Sequence, residues 1–533
     1  MVTKSVSPAN RQGGQALVFS LITVVIILLV MVTMYTMGQQ SIAKMKLQNT
    51  ADAAAYSAVL AEARDYNFSA YTNRAVIANQ VAIAQVVGLT SWARGLAETY
   101  NGSASWVPSV LTSIGGPIAK IMWDVPWKVY KPATKTFKSV MDGIAPVTVK
   151  ALNFLIDALG LAQTIYHYGT ALTVAQTIGL DPATVISKLP GVDATSLGPV
   201  KDLLTFDAAH NVIKLNDPNA DLSTPGVLTA VVHLAQWFLF THSKNPNSSN
   251  LDGTLGDRMA HVTKNSLDAF SKNRDTKGGG PGGWMPAESM YITPAPFVID
   301  PTIFIPYNNG AFFMYLWHRG GTELKKIGVN KKTWSAMDGT GFFGAAIFWI
   351  SILGIPIPIP IILPFIPIGW GAAQAGPSSD LSPSNNFATK AADAYGGIYS
   401  SPNTGAAALI QQGMGAGKTL DTRGGLRSYM DVKKIDKDNL LAPPLILEVE
   451  KADGTIPTSN KISSGNLALQ NGHRSGYMRS LTKAQVYFSR PKKLFARGDG
   501  KTELASLYSP YWQARLTPNN FLEQYVSMSF QLN

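Results

Sequence analysis

Residues 16–37 read ALVFSLITVVIILLVMVTMYTM, and no charged residue lies between Arg11 and Lys44. At 1.5 Å per residue, about 22 helical residues reach roughly 33 Å, enough to cross the hydrocarbon core of a bilayer. Val24 to Val30 is an unbroken apolar run, so this helix is apolar on every side and calls for lipid. Ser20, Thr23, Thr33 and Thr36 do not oppose that reading, because a helical hydroxyl bonds back to a carbonyl of its own helix. A secretory signal has an apolar region of roughly 7–15 residues ahead of a small-residue cleavage site. Here the span runs on through Gly38 into helix-compatible residues as far as Leu47, which predicts an uncleaved anchor.

Basic residues flank the span on both sides, Lys4 and Arg11 before it and Lys44 and Lys46 after it, so the positive-inside rule discriminates little. A short leader is easily left in the cytoplasm, while a long first span starts export of the chain behind it. The expected order is therefore a cytoplasmic leader (1–14), a transmembrane helix (15–38) and an extracytoplasmic bulk.

A chain of 533 residues is too long for one core, and two or three domains are expected. Mean hydropathy is +0.07 with 46% of residues hydrophobic and 15% charged, which is apolar for a water-soluble protein and suits a membrane-attached one. The net charge of +12 is spread along the chain and reads as a solvated basic surface. No basic run with interleaved aromatics marks a nucleic-acid groove. The absence of cysteine excludes disulfides, thiolate metal sites and a cysteine nucleophile.

Beyond the span, Leu47, Ala51, Ala54, Ala58 and Ala61 recur at three- and four-residue steps and share one helix face. A face of alanine lets another helix come close, so Ala51, Ala54, Ala58 and Ala61 form a candidate packing interface. Asp52, Glu62, Arg64 and Asp65 are expected to decorate the other sides. Glycine and proline are absent from Gln39 to Val87, which predicts one long helix, or two with a break near Asn67.

Gly14-Gln15-Ala16 leading an apolar span, followed by Leu47-Gln48-Asn49-Thr50-Ala51-Asp52-Ala53-Ala54-Ala55, resembles the N-terminal module of TadG-like proteins of the tight-adherence (Flp) pilus assembly system. Tyr71-Thr72-Asn73-Arg74-Ala75 and Asn79-Gln80-Val81-Ala82 look like the branch of that family with a long extracytoplasmic part. A weaker likeness returns at residues 484–491 and 510–515. The resemblance implies a bacterial inner-membrane protein with its bulk in the periplasm, structural in pilus assembly or cell adhesion. It implies no catalysis and no cofactor, and the bilayer, other pilus-assembly proteins or a second copy as partners.

Two points bound the likeness. Pilins and pseudopilins of that system carry a glutamate five residues after a glycine cleavage point, whereas Phe19 stands five after Gly14 and Val18 five after Gly13. Processing by a prepilin peptidase is not expected. Many TadG-like proteins also carry a von Willebrand A-type domain with an Asp-x-Ser-x-Ser motif; that spacing occurs here at Asp380, Ser382 and Ser384 within the polar loop at 377–386, and metal-dependent adhesion is not carried over from it.

Residues 39–100 thus read as the long helix and 101–276 as a helical region. Within the latter, Val147 to Gln176 has apolar spacing through Ala151, Phe154, Leu155, Ala158, Leu161, Ala162 and Ile165. Val227 to Phe240 is an apolar helix too short to span lipid, and Leu255 to Phe270 is amphipathic. Gly115-Gly116-Pro117, Leu189-Pro190-Gly191, Asp217-Pro218 and Thr224-Pro225-Gly226 are expected breaks. Lys277 to Gly283 is a glycine-rich linker. After it, 284–533 reads as β-rich, with strands expected in Tyr291–Ile305, Ala311–His318, Leu445–Glu450, Ala484–Ser489 and Tyr511–Leu516. The fold class is therefore α+β, membrane-anchored.

Residues 341–373 carry no charge and include IPIPIPIILPFIP from Ile355 to Pro367. Alternating proline forbids helix, so this segment is extended, and Ile355, Ile357, Ile359, Ile361 and Phe365 form a candidate apolar contact segment. It is either an arm or hairpin reaching a membrane or partner, or a lid on its own domain.

No motif carries an enzyme. Gly413 to Thr419 imitates a phosphate loop, but Gln412 stands where the first glycine belongs. Asn250-Leu251-Asp252-Gly253-Thr254-Leu255 resembles a phosphatase motif whose nucleophilic aspartate is here Asn250. The histidines, His167, His210, His233, His242, His261, His318 and His473, are scattered, with no His-Glu-x-x-His pair. Asp431, Asp436 and Asp438 with Lys433, Lys434 and Lys437 read as a solvated mixed-charge turn. The alternative to a pilus component is a membrane-tethered periplasmic enzyme or binding protein.

Overall fold

A computed structural model describes residues 13–101, 107–181, 211–244, 258–272, 274, 305–307, 310–327, 331–352, 355–376, 419–421, 423–432, 441–457, 476–491, 498 and 503–520. The linker at 277–283 and the strand expected in 291–304 lie outside these residues, as do the loop at 413–418 and the motif at 250–255.

Helix α1 (Gly13–Asn101) runs 89 residues without a break, at Asn67 or elsewhere. Helix α2 (Val107–Thr177) runs 71 residues and passes through Gly115-Gly116-Pro117, which was expected to end it. A proline removes one hydrogen bond and bends a helix, but its fixed φ is itself helical. The shorter elements come next in chain order: α3 (Val212–Asn216), β1 (Ala220–Leu222), α4 (Thr224–Phe240), β2 (Thr241–Lys244), α5 (Arg258–Asn265) and α6 (Ala269–Lys272). Then come β3 (Ile305–Tyr307), β4 (Gly310–Ile327), β5 (Lys331–Ile352), β6 (Ile355–Gln374), β7 (Tyr429–Val432), β8 (Leu445–Ala452), β9 (Tyr477–Phe488) and β10 (Trp512–Leu516). The amphipathic stretch before Phe270 is two helices, because the Asp268 carboxylate accepts from Ser271 N at 3.3 Å and starts a new one.

The chain packs as two units, each assembled from separate stretches. The first comprises Met1–Tyr71, Gln163–His242 and Asp431–Asn533. Its sheet has the order β1-β8-β9-β10, antiparallel throughout. Alternate residues of β9, from Met478 through Ala484 to Phe488, are buried, as expected of a strand with one face on a core. Helix α4 begins on β8. The Ser223 hydroxyl accepts from Gly226 N at 3.0 Å and donates to Glu448 Oε1 at 2.8 Å. A Cβ on Gly226 would come within 2.2 Å of the Glu448 carbonyl oxygen, so the helix start needs glycine to sit this close. Asp431, expected in a solvated turn, is buried, and its Oδ1 accepts from Val432 N and Leu507 N.

The second unit comprises Thr72–Ala162 and Ser243–Met430. Its sheet is the meander β3-β4-β5-β6, paired from Gly310↔Phe348 to Ile327↔Lys331 and from Ile352↔Ile355 to Ser335↔Gln374. The end nearest Trp334, Ala336 and Ala373 is buried. There Arg274 donates to both Asp338 oxygens, at 2.8 and 3.0 Å, and to Gly321 O at 2.7 Å. Burial pushes the Asp338 carboxyl above the usual range, and Arg274 and Ser91 only partly oppose it. Helix α1 meets β6 backbone to backbone: a Cβ on Gly371 would lie 2.2 Å from Gly95 N and from Ser91 O.

Candidate functional site

The membrane span shows no core of its own. The apolar side chains from Leu17 (69% exposed) to Met37 (66%) face outward, while Thr36 is buried, and the helix is long and apolar enough to cross a membrane. Ser20, Thr23 and Thr33 donate to the carbonyls four residues back, at 2.6–2.8 Å, so these three hydroxyls are satisfied by the helix itself. Its length and exposed apolar surface support membrane anchoring.

Burial becomes regular in the next turns. Ala43, Leu47, Ala51, Ala54, Ala55, Ala58 and Val59 are buried, and Ala61 is half-buried. Beside this stretch, Lys44 Nζ donates to Arg479 O and Gln48 Nε2 to Leu481 O, both on β9. Asn67 closes the run with a two-way bond to the first residue of β10. Its Nδ2 donates to Trp512 O at 2.9 Å, and its Oδ1 accepts from Trp512 N at 3.0 Å.

Glu62 and Asp65, expected on the outer sides of α1, are instead fully buried. Each meets a histidine from a different helix. Glu62 Oε1 lies 2.6 Å from His233 Nε2 on α4, and Asp65 Oδ2 lies 2.7 Å from His167 Nδ1 on α2. His233 Nδ1 also lies 3.0 Å from Pro444 O. Both of its neighbours are acceptors, so the ring satisfies both only as imidazolium. Burial alone would lower the His233 pKa, but the charge and hydrogen bond of Glu62 and the Pro444 carbonyl outweigh it, and the net shift is upward. Tyr66 is pushed well up by burial and by the Glu62 and Asp65 charges. Trp237 stacks on His167 with centroids 4.3 Å apart, and Trp512 meets Tyr66 edge-on at 5.0 Å. The cluster is sealed: Glu62, Asp65, His167 and His233 are each at most 4% exposed. Sequence periodicity missed it because the alanine face drew attention to one side, while helices α2 and α4 cover the other. Among the described residues, no group of three or more His, Asp or Glu is arranged to hold a metal ion.

In the second unit, Ile355 (64%) and Ile357 (40%) are exposed. Ile359 and Ile361 pair with Phe348 and Ala346, and Phe365 falls at an irregularity opposite Phe342–Gly344. Their side-chain placement lies outside the described residues. Strand β6 is at the edge of this sheet, and among the described residues it pairs with β5, with one further bridge from its last residue Gln374 to Thr419. Pro356, Pro358, Pro360 and Pro367 stand opposite Ser351, Trp349, Ile347 and Gly341, all odd-numbered on β5. In an antiparallel ladder, alternate residues face alternate sides, and proline has no N–H to give its partner. These four are therefore the non-hydrogen-bonded positions, with backbone nitrogens on the open side. Two register shifts, between Thr340/Gly341 and Phe342/Gly344, keep Pro367 in phase although the numbering has changed parity. The open edge offers no donor at these positions, so a further strand cannot pair along it.

A model of the Flp pilus-assembly TadE/G-like family matches residues 14–65. The chain carries a TadE/G-like domain. The matched stretch takes in the exposed span and the buried alanine face, and ends at Asp65 of the carboxylate–histidine cluster. A pilus-related role is what this TadE/G-like domain supports. No curated protein and no solved structure matches the chain.

Proposed function

We propose that this protein is a structural component of Flp pilus assembly or of surface attachment, held in the bacterial inner membrane by one N-terminal helix. The observation that carries the reading is the coincidence of the TadE/G-like match at residues 14–65 with an exposed apolar span that runs unbroken into a buried face. The leader stays cytoplasmic and the bulk lies in the periplasm. The face around Ala51, Ala54, Ala58 and Ala61 fixes the first unit to the anchor helix, so force or position at the membrane reaches it through one continuous element. The Ile355–Pro367 segment serves as an apolar arm toward the membrane or a neighbouring pilus-system protein. The exposure of Ile355 and Ile357 supports an arm over a lid.

Topology is tested by protease digestion of spheroplasts carrying a tag at residue 2 or at the C-terminus. The reading expects the C-terminal tag to be cleaved and the N-terminal tag to survive. Cleavage of the N-terminal tag alone would invert the orientation.

A further inference from the structure

Helix α2 carries a second exposed apolar surface. Val140, Ile144, Val147, Ala151, Phe154, Ala158 and Leu161 succeed one another at steps of four and three residues without a fault. That is the a/d spacing of a coiled-coil seam. A core-facing assignment would bury this stripe. Instead Val140 (47%), Ile144 (58%), Val147 (68%), Phe154 (65%) and Leu161 (61%) are exposed, and Ala151 is exposed with them. The core side of α2 is its other face, where Ala145, Val149, Asn153 and Ile156 are buried. The seam is one-sided and has Lys150 and Asp157 beside it, whereas a lipid-facing helix would be apolar all round.

We infer that this seam pairs α2 with the α2 of a second copy, antiparallel, about a two-fold axis between Leu152 and Asn153. The layers decide the direction. Parallel pairing sets like on like, Phe154 against Phe154 and Ala151 against Ala151, which leaves one layer overfull and the next empty. Antiparallel pairing about this axis sets Phe154 against Ala151 of the second copy, Val147 against Ala158 and Ile144 against Leu161. Large then meets small through the centre, and both copies use the same surface, as a two-fold interface requires. The charges agree. Lys150 and Asp157 each stand one residue before an a position of the heptad, and in an antiparallel pair such residues face their counterparts, so Lys150 of each copy meets Asp157 of the other. Asp157 remains 44% exposed beside Arg427, at 2.7 Å, and is open to this approach.

The natural absence of cysteine makes the test direct. Full-length chains carrying Ala151→Cys and Phe154→Cys are co-expressed and oxidised in native membranes. A covalent Ala151→Cys/Phe154→Cys dimer is expected, and Ala151→Cys with Leu161→Cys, about 10 Å out of step at 1.5 Å per residue, should give none. In detergent, light scattering should find a dimer for the wild-type chain and a monomer for Val147→Lys. Val147→Lys should keep the wild-type circular-dichroism spectrum, because the side chain is exposed, while loss of the dimer lowers its melting temperature by mass action. Lys150→Asp should raise the dissociation constant at least tenfold, and adding Asp157→Lys should recover most of it. A monomeric wild-type chain would overturn the proposal. So would no Ala151→Cys/Phe154→Cys product, or dominant Phe154→Cys homodimers, which mark parallel pairing.

Discussion

Glu62 and His233 lie 171 positions apart in sequence and 2.6 Å apart in space, fully enclosed by the first unit. The pair ties the TadE/G-like helix to α4, and Asp65 with His167 ties the same turn to α2. Removing one partner of a buried ion pair leaves the other charge uncompensated, at a cost of about 3–5 kcal/mol. His233→Ala should therefore destabilise the first unit by that order, read as lost hydrogen-exchange protection across α4 and β8. Unchanged protection would show that the pair holds nothing.

The same pair sets a pH dependence. The folded His233 pKa is raised, so the native state holds a proton that the unfolded chain releases. The resulting stability is fully present below the unfolded value, about 6.5, and is lost as pH rises through the higher folded value. The melting temperature of the detergent-solubilised protein should fall as pH rises above about 6.5, and the fall should be smaller in His233→Gln. A rise in stability over this range that depends on His233 would contradict the assignment.

Ala58 is buried on the helix face that follows the apolar span. Forcing a larger side chain into a filled interface costs about 1–3 kcal/mol. Ala58→Leu should lower the melting temperature, while Tyr56→Leu, at an exposed position, should not. Equal melting of Ala58→Leu and wild type would reduce the alanine run to helix propensity.

Gly371 of β6 and Gly95 of α1 leave no room for a methyl group, since an added Cβ on Gly371 would stand 2.2 Å from backbone atoms. Gly371→Ala should destabilise the second unit markedly, and Gly454→Ala, with open space around it, should not. Replacing Ile355–Pro367 with a Gly-Ser bridge tests the arm in the same unit. The shortened protein should keep its melting temperature and lose partner or membrane association through this segment. Early melting would mean that the segment is a lid.

Much of the fold was legible in the sequence. The anchor, the long helix, helix α4 and the strands at 311–318, 445–450, 484–488 and 512–516 each announce themselves through local periodicity. The buried carboxylates were not legible, because nothing near Glu62 or Asp65 in sequence names a histidine 171 or 102 residues away. The proline run was read as extended but not as a paired strand. One side of a strand still pairs when the prolines at its paired positions face the other side, and that phase depends on the register with β5. Gly115-Gly116-Pro117 looked like an end because local breakers are judged without the rest of the helix around them. The stripe from Val140 to Leu161 has core periodicity, and only the structure places it outside.

The N-terminus is also testable. With Phe19 in place of the pilin glutamate, intact-mass measurement should find residues before Gln15 retained in the mature chain. A chain beginning at Gln15 would make the protein pilin-like.

The central claim is a membrane-held, pilus-related role for the TadE/G-like domain. It is tested most directly by counting surface Flp pili in a strain from which this gene is deleted. The account predicts that pili are lost or sharply reduced, that the full chain restores them, and that a chain exported without residues 1–38 does not. Normal pili in the deletion strain would contradict it.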